Sequence, residues 1–144
     1  MQTGAIAEAL GGRKVLGRAI RNDGDLTHLV RKGIPAGAIP ALAVRLNVAH
    51  ADLLRALGIP QRTLSRRLSQ AASLTPAESD RTVRTARVYA HAVETIGDRV
   101  KAVAWLGTPN RALGGETPLE RLDTDLGVRQ VEDVLGRIAY GVYS

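Results

Sequence analysis

The 144-residue chain is predicted to be an all-α protein, and three features of its sequence support that fold class. Apolar residues recur at spacings of three and four, whereas no stretch shows the strict alternation of a half-buried strand. Aromatic residues make up only 3% and Phe is absent, so the core must consist of Leu, Val, Ile and Ala. Ala and Leu are strong helix formers, and Gly repeatedly follows an apolar run, where it ends a helix.

Five short helices are predicted in the first half of the chain. They cover, in order, about 5–10, 26–32, 38–46, 49–57 and 60–69. The residues that stop the first four are Gly11, Gly33, Asn47 and Gly58. Asp25 is placed to cap the second helix, and Pro60 suits the first turn of the fifth because proline has no backbone N–H to leave unsatisfied. We therefore predict a helical extension at 1–35 and a helix-turn-helix region at 36–73.

A long helix is predicted to begin at Thr75-Pro76-Ala77-Glu78, which has the sequence of a capping box. In this motif the Thr hydroxyl accepts a hydrogen bond from the backbone N–H of Glu78, and the Glu carboxylate accepts one from the backbone N–H of the Thr. The helix continues to Ile96, and its wide apolar face predicts burial against two neighbours, one of which can be the same helix of a second subunit. That face contains Val83, Ala86, Ala90 and Val93. The sequence thus predicts a helical dimerisation region at 74–108.

The remainder of the chain predicts a loop and a final amphipathic helix. Asp98 can cap a helix that ends at Leu106, and a loop follows at 108–115. A second capping box, Thr117-Pro118-Leu119-Glu120, precedes the last helix, which ends at Gly141. The apolar stripe of this helix consists of Val128, Val131, Leu135 and Ile138. Residues 109–144 are predicted to act as one C-terminal region.

Residues 50–69 have the pattern of a helix-turn-helix, a motif whose second helix enters the major groove of DNA. Two short helices meet at Gly58, and five apolar residues have the spacing to pack them together: Leu53, Leu57, Ile59, Leu64 and Leu68. Arg and Gln can pair bidentately with guanine and adenine edges, and Ser and Thr suit phosphates. The candidate DNA-binding residues on the second helix are therefore Gln61, Arg62, Thr63, Ser65, Arg66 and Arg67.

Basic residues are concentrated in the first half of the chain. Residues 1–75 hold 11 Lys and Arg against 4 Asp and Glu, a net charge of +7, whereas residues 76–144 hold 9 against 10, a net charge of −1. No acidic residue lies between Asp52 and Glu78, so no carboxylate repels phosphates along that stretch. This asymmetry favours contact with a polyanion through the first half; chance clustering on a solvated face is the alternative.

The stretch 49–144 resembles the Xre/MbcA/ParS antitoxin family. Its most specific motifs are Leu74-Thr75-Pro76-Ala77-Glu78-Ser79-Asp80, Trp105-Leu106, Pro109-Asn110-Arg111-Ala112-Leu113-Gly114-Gly115, Pro118-Leu119, and the ending Gly136-Arg137-Ile138 to Gly141-Val142. The resemblance implies a homodimer that pairs with a RES-domain toxin, an enzyme that depletes cellular NAD. It also implies that the C-terminal part covers the entrance to the toxin's active site and that the protein represses its own promoter by binding operator DNA.

Within that resemblance, residues 60–69 match the family's DNA-reading helix and residues from Pro109 onward match its toxin-binding part. The candidate toxin-binding residues are Asn110, Arg111, Tyr140, Val142, Tyr143 and Ser144. Tyrosine is a favoured binding anchor because it buries a large area and keeps a polar group. Two alternatives stay open: both tyrosine rings can fold back onto the protein's own core, and Asn110 can serve to cap a turn.

Several classes of function are disfavoured by what the sequence lacks. Cys is absent, so neither a disulfide framework nor a thiolate metal site is available. His28, His50 and His91 lie far apart without a nearby acidic partner, and no nucleophile has a basic partner close in sequence. We therefore predict no metal site, no cofactor and no enzymatic activity. A secretory signal and an apolar run long enough to span a membrane are both lacking, so a cytoplasmic protein without membrane contact is expected.

Two other functions compete with the antitoxin hypothesis. The chain can be a stand-alone helix-turn-helix transcriptional regulator whose C-terminal half only dimerises. A polar-anchoring or scaffold protein is the third class, since the resembled family includes accessory proteins of chromosome partition. An adjacent gene for a RES-domain protein favours the antitoxin, whereas localised foci in cells without such a gene favour the scaffold.

Overall fold

The computed structural model describes residues 2–141, and all regular elements within that range are helical, which confirms the all-α fold class. Nine α-helices and two short 3-10 helices follow one another in this range: α1 (Thr3–Ala9), α2 (Gly12–Leu16), α3 (Asp23–Lys32), α4 (Ala38–Leu46), α5 (His50–Leu57), α6 (Gln61–Ser69), α7 (Pro76–Ile96), α8 (Arg99–Leu106), η1 (Arg111–Leu113), η2 (Leu119–Asp123) and α9 (Asp125–Ala139).

The 21-residue helix α7 is the element around which the others pack. Helices α1 and α3 of the first half and α8 and α9 of the second half all contact it. Its capping box forms as predicted: the Thr75 hydroxyl accepts from the Glu78 N–H at 3.1 Å, and the Glu78 carboxylate accepts from the Thr75 N–H at 2.9 Å. The predicted apolar face is filled by these elements of the same chain, so contact between two copies of α7 stays a prediction.

The N-terminal segment is built into the core rather than appended to it. Ile6 and Leu10 of α1 are buried, and the backbone N–H of Ile34 donates to the buried hydroxyl of Ser79 on α7 at 2.9 Å. The extended segment after α3 pairs with the segment that follows α6, where the Leu74 N–H donates to the Ile34 carbonyl at 2.8 Å. The N-terminal helices and the helix-turn-helix therefore share one hydrophobic core with α7.

Two helix starts differ from the prediction. Helix α3 is capped by Asn22, whose side-chain oxygen accepts from the Asp25 N–H at 2.8 Å, so Asp25 lies in the first turn and is not the cap. The capping box at Thr117 begins the 3-10 helix η2, and α9 begins separately with Thr124 as its cap. The two elements meet so closely that a Cβ at Gly127 would lie 1.8 Å from the Arg121 carbonyl oxygen, which requires glycine there.

Candidate functional site

The predicted helix-turn-helix is formed by α5 and α6. Their connection turns at Gly58, whose φ of 67° lies in the left-handed region that glycine tolerates best. Four of the five predicted packing residues are buried between the helices and the core: Leu53, Leu57, Ile59 and Leu64. Leu68 is the exception, with 40% of its surface exposed, because it lies on the rim of an open groove beside Val15 and Ala71.

Helix α6 presents a polar face to solvent. Leu64 is its one buried residue, while Gln61, Arg62, Ser65 and Arg66 are exposed and Thr63 is half-buried. Arg62 and Arg66 are four residues apart and therefore lie on the same side of the helix, one turn from each other. This surface can donate paired N–H groups to base edges, and it contains no carboxylate that would oppose phosphates.

Arg67 differs from the other candidates on α6. Its side chain is only 16% exposed and forms an ion pair and hydrogen bond with Glu78 at the start of α7. A second arginine ties the motif to α7, because Arg81 Nε donates to the Leu57 carbonyl at the end of α5 at 2.7 Å. Arg67 is thus engaged in holding α6 against α7, which differs from its predicted contact with DNA, whereas Arg62 and Arg66 are left exposed.

The carboxyl of Glu78 has a lowered pKa for a clear physical reason. Burial raises the pKa, but hydrogen bonds from Thr75 together with the hydrogen bond and charge of Arg67 outweigh it and hold the pKa below its ordinary value of 4.5. A carboxyl with a folded-state pKa below its unfolded value stabilises the fold above pH 4.5, and this contribution is lost as the pH falls through the folded-state pKa.

Glu78→Gln is expected to lower the free energy of unfolding by about 1–2 kcal/mol at neutral pH, because Gln retains the cap but loses the charged contact to Arg67. Urea unfolding followed by circular dichroism measures the loss, and the difference from wild type should shrink as the pH drops below 4.5. The matched control is Glu120→Gln, which changes the exposed capping box at Thr117 and should alter stability less. A pH-independent difference for Glu78→Gln would contradict the assignment.

The loop before η1 is organised by Asn110. This residue is buried, its side-chain oxygen accepts from the Ala112 N–H at 2.9 Å, and its backbone N–H donates to the Glu116 carbonyl at 2.9 Å. The side chain therefore holds the turn, as one of the two interpretations of the sequence predicts. Arg111, the next residue, is exposed and can reach a partner.

Arg121 fastens the same loop to the last helix. Its guanidinium donates to the Leu113 carbonyl and to the Gln130 side chain, both at 2.6 Å, and its Nε lies 2.6 Å from a Glu116 carboxylate oxygen. The loop, η2 and α9 are consequently joined into one packed unit that exposes Arg111 on its surface.

Helix α9 ends in an exposed aromatic side chain. Val128, Val131, Val134 and Leu135 are buried, whereas Tyr140, the residue after the helix, is 86% exposed. The structure thus does not fold this ring back onto the core. The other C-terminal candidates, Val142, Tyr143 and Ser144, lie outside the described residues.

One feature of the surface was not predicted from the sequence. Helix α5 packs against η2, and the two enclose a groove of about 430 Å³ that joins the helix-turn-helix to the C-terminal unit. The charged side chains that line it are Asp52, Arg55, Glu116, Glu120 and Asp123. The sequence does show charged residues on α5, Asp52 and Arg55, but it does not reveal that η2 packs beside them and completes the groove. Between Gln2 and Gly141, no helix is both long and apolar enough to cross a lipid bilayer.

These surfaces define a class of protein, a helix-turn-helix DNA-binding module joined to a second helical module with an exposed aromatic end. Comparison with known sequence families gives each module a description. Residues 25–87 match the antitoxin Xre-like helix-turn-helix domain. Residues 91–141 match the antitoxin Xre/MbcA/ParS C-terminal toxin-binding domain.

Individual relatives identify the family. The chain is 37% identical over 120 residues to antitoxin Xre of Yersinia enterocolitica, a match that covers 83% of this chain and 81% of that protein. Antitoxin Xre of Photorhabdus laumondii matches with the same identity and coverage, and that of Pseudomonas putida is 42% identical over 83 residues, 58% of this chain and 52% of the relative. The chain belongs to the Xre family of antitoxins, which confirms the resemblance found in the sequence.

A solved structure has the same fold. A chain in the crystal structure of the Mycobacterium tuberculosis MbcT–MbcA toxin–antitoxin complex superimposes with a TM-score of 0.56 over 76% of this chain and 96% of that one. At 21% sequence identity the likeness concerns the fold. It independently supports the arrangement of a helix-turn-helix followed by the C-terminal helical unit.

Proposed function

We propose that this antitoxin neutralises a RES-domain toxin that depletes NAD, and that it does so by covering the toxin's active site with residues 109–144. The observation that carries the proposal is Tyr140, which stands 86% exposed at the end of the last helix of the toxin-binding domain. An exposed tyrosine offers a large apolar ring and a hydroxyl to a partner, and tyrosines are enriched among the residues that dominate binding energy. The toxin–antitoxin complex that contains a chain of the same fold supports a protein partner for this unit.

We also propose that the protein represses its own operon. Exposed Arg62 and Arg66 on α6 support contact with operator DNA, and the rigid attachment of α5 and α6 to α7 supports a fixed approach to the major groove. Helix-turn-helix proteins bind two half-sites as dimers, so a homodimer is part of the proposal. Val100 on α8, at 76% exposure, is the large apolar residue left exposed between residues 74 and 108, which favours α8 as the dimer contact.

The function is tested by producing the chain together with the protein encoded next to it. We expect the two to co-elute from a size-exclusion column, and we expect cells that make both to retain the NAD that is lost when the neighbour is made alone. A chain that neither associates with its neighbour nor restores NAD would refute the antitoxin role toward that protein. In that case, operator binding by the purified chain would identify a stand-alone regulator.

A further inference from the structure

Ion pairing divides the basic side chains of the first half of the chain into two groups. Arg18, Arg45, Arg55 and Arg67 each lie within 3.3 Å of a carboxylate oxygen. The other group is exposed and forms no ion pair with any residue from Gln2 to Gly141. It consists of Arg13, Lys14, Arg21, Arg31, Lys32, Arg62 and Arg66. The positive charge of this half is therefore concentrated in a subset of its basic residues.

Two members of the unpaired group lie on α2, beside the end of the recognition helix. Val15 of α2 lines a groove of about 310 Å³ together with Leu68, Ala71 and Ala72, which are the last turn of α6 and the residues that follow it. Leu16 is buried and Val15 is half-buried, so these two residues hold α2 in place. Arg13 and Lys14, the residues just before them, are left in solvent.

A second pair of unpaired cations lies near the segment that follows α6. Arg31 and Lys32 close α3, and Gly33, directly after them, is packed against the Leu74 carbonyl so tightly that a Cβ there would lie 2.3 Å from it. The nearest acidic residue in sequence after α6 is Glu78, whose carboxylate is already paired with Arg67. Unpaired cations therefore lie on α2, which lines a groove with the last turn of α6, and directly before Gly33, which contacts the segment after α6.

The geometry of major-groove binding indicates what these cations meet. A recognition helix contacts base edges with its N-terminal residues, and α6, with nine residues, is only about 13 Å long. Its far end therefore lies near the sugar–phosphate backbone that borders the groove. Side chains beside that end therefore face phosphates. Lys and Arg side chains are attracted to phosphates whatever the base sequence, and this attraction supplies most of non-specific DNA binding.

We propose that Arg13 and Lys14 of α2 form a second DNA contact, which binds the phosphate backbone next to the segment read by α6 and does not depend on base sequence. The proposal rests on the operator binding proposed above. Helix α2 lies before residues 25–87, so this contact is separate from the segment that matches the helix-turn-helix domain.

The test replaces both residues by glutamine, as Arg13→Gln with Lys14→Gln, because glutamine removes the charge and keeps a similar helix propensity. Binding is measured across a range of salt concentrations to two DNA duplexes: the sequence directly upstream of the chain's own gene, and a scrambled duplex of equal length. Each lost phosphate contact reduces the salt slope by about 0.9, so the double variant should lose about 2 from the slope on both duplexes. When the salt concentration rises from about 50 to 200 mM, the variant and the wild type both lose affinity, and the factor lost by the variant should be roughly ten times smaller.

The matched control is Arg129→Gln with Arg137→Gln, which removes the same charge from exposed positions on α9. This control should keep the wild-type salt slope, whereas a loss equal to that of the α2 variant would show that net charge alone is responsible and would overturn the proposal. An unchanged slope for the α2 variant, or a loss confined to the operator duplex, would overturn it as well. Failure of the wild-type protein to bind either duplex would reject the proposed operator binding itself, a result distinct from failure of the α2 contact alone.

Discussion

Removal of residues 140–144 is expected to abolish protection against the toxin and to leave operator binding unchanged. The deletion begins after α9 ends at Ala139, so it removes no residue of the buried stripe that holds this helix on the core. It does remove Tyr140, and the loss of one dominant aromatic anchor typically costs at least about 2 kcal/mol of binding energy, or roughly 30-fold in affinity. The toxin would then be free at concentrations at which the intact antitoxin covers it.

Two quantities are measured: the NAD content of cells that make toxin and antitoxin together, and the affinity of the purified antitoxin for the purified toxin. The single variant Tyr140→Ala should weaken the complex while the deletion weakens it further. Arg62→Ala serves as the control, because Arg62 is exposed on α6 and lies outside the proposed toxin-covering residues 109–144. Full protection by the deleted chain would disprove the anchoring role of the C-terminal end and would move the toxin contact to the loop that contains Arg111.

Local sequence signals were sufficient for much of the fold. The long helix α7 begins at its capping box and ends at Gly97, as predicted, because both signals act through bonds within a few residues. Helix α2 was not predicted from the sequence, because a pair of glycines normally ends a helix and does not begin another. Here Gly11 adopts a φ of 104° and α2 starts directly at Gly12. The buried Leu16 stabilises this turn through tertiary packing, which no local pattern reveals.

The candidate site shows the same division between local and long-range information. Helical periodicity correctly placed Arg62 and Arg66 on the outer side of α6. It also assigned Arg67 to DNA, since the sequence does not reveal that the start of α7 returns beside α6 and brings Glu78 into contact with it. For Asn110 the sequence left toxin contact and a turn as alternatives, since asparagine side chains commonly bond to the backbone two residues ahead, and the structure shows the turn contact.

Substitution of the two exposed arginines on α6 is expected to have the second large effect, a loss of operator affinity. Arg62→Ala combined with Arg66→Ala should weaken operator binding by about 2–6 kcal/mol, since each lost bidentate base contact costs about 1–3 kcal/mol. Both side chains are exposed and unpaired among residues 2–141, so their truncation should leave the fold and toxin neutralisation intact. Electrophoretic mobility shift with operator and scrambled duplexes measures the loss, and circular dichroism verifies the fold.

A charge-preserving variant separates base recognition from general attraction to phosphates. Arg62→Lys with Arg66→Lys keeps both positive charges but removes the planar fork that pairs with a guanine edge. This variant should bind scrambled DNA as wild type does and lose its preference for the operator, whereas the alanine variant should lose affinity for both. If the alanine variant retains wild-type operator affinity, α6 is not the helix that enters the major groove. If the lysine variant retains full preference, the two arginines contact phosphates, and base recognition must come from Gln61 and its neighbours on the same exposed face.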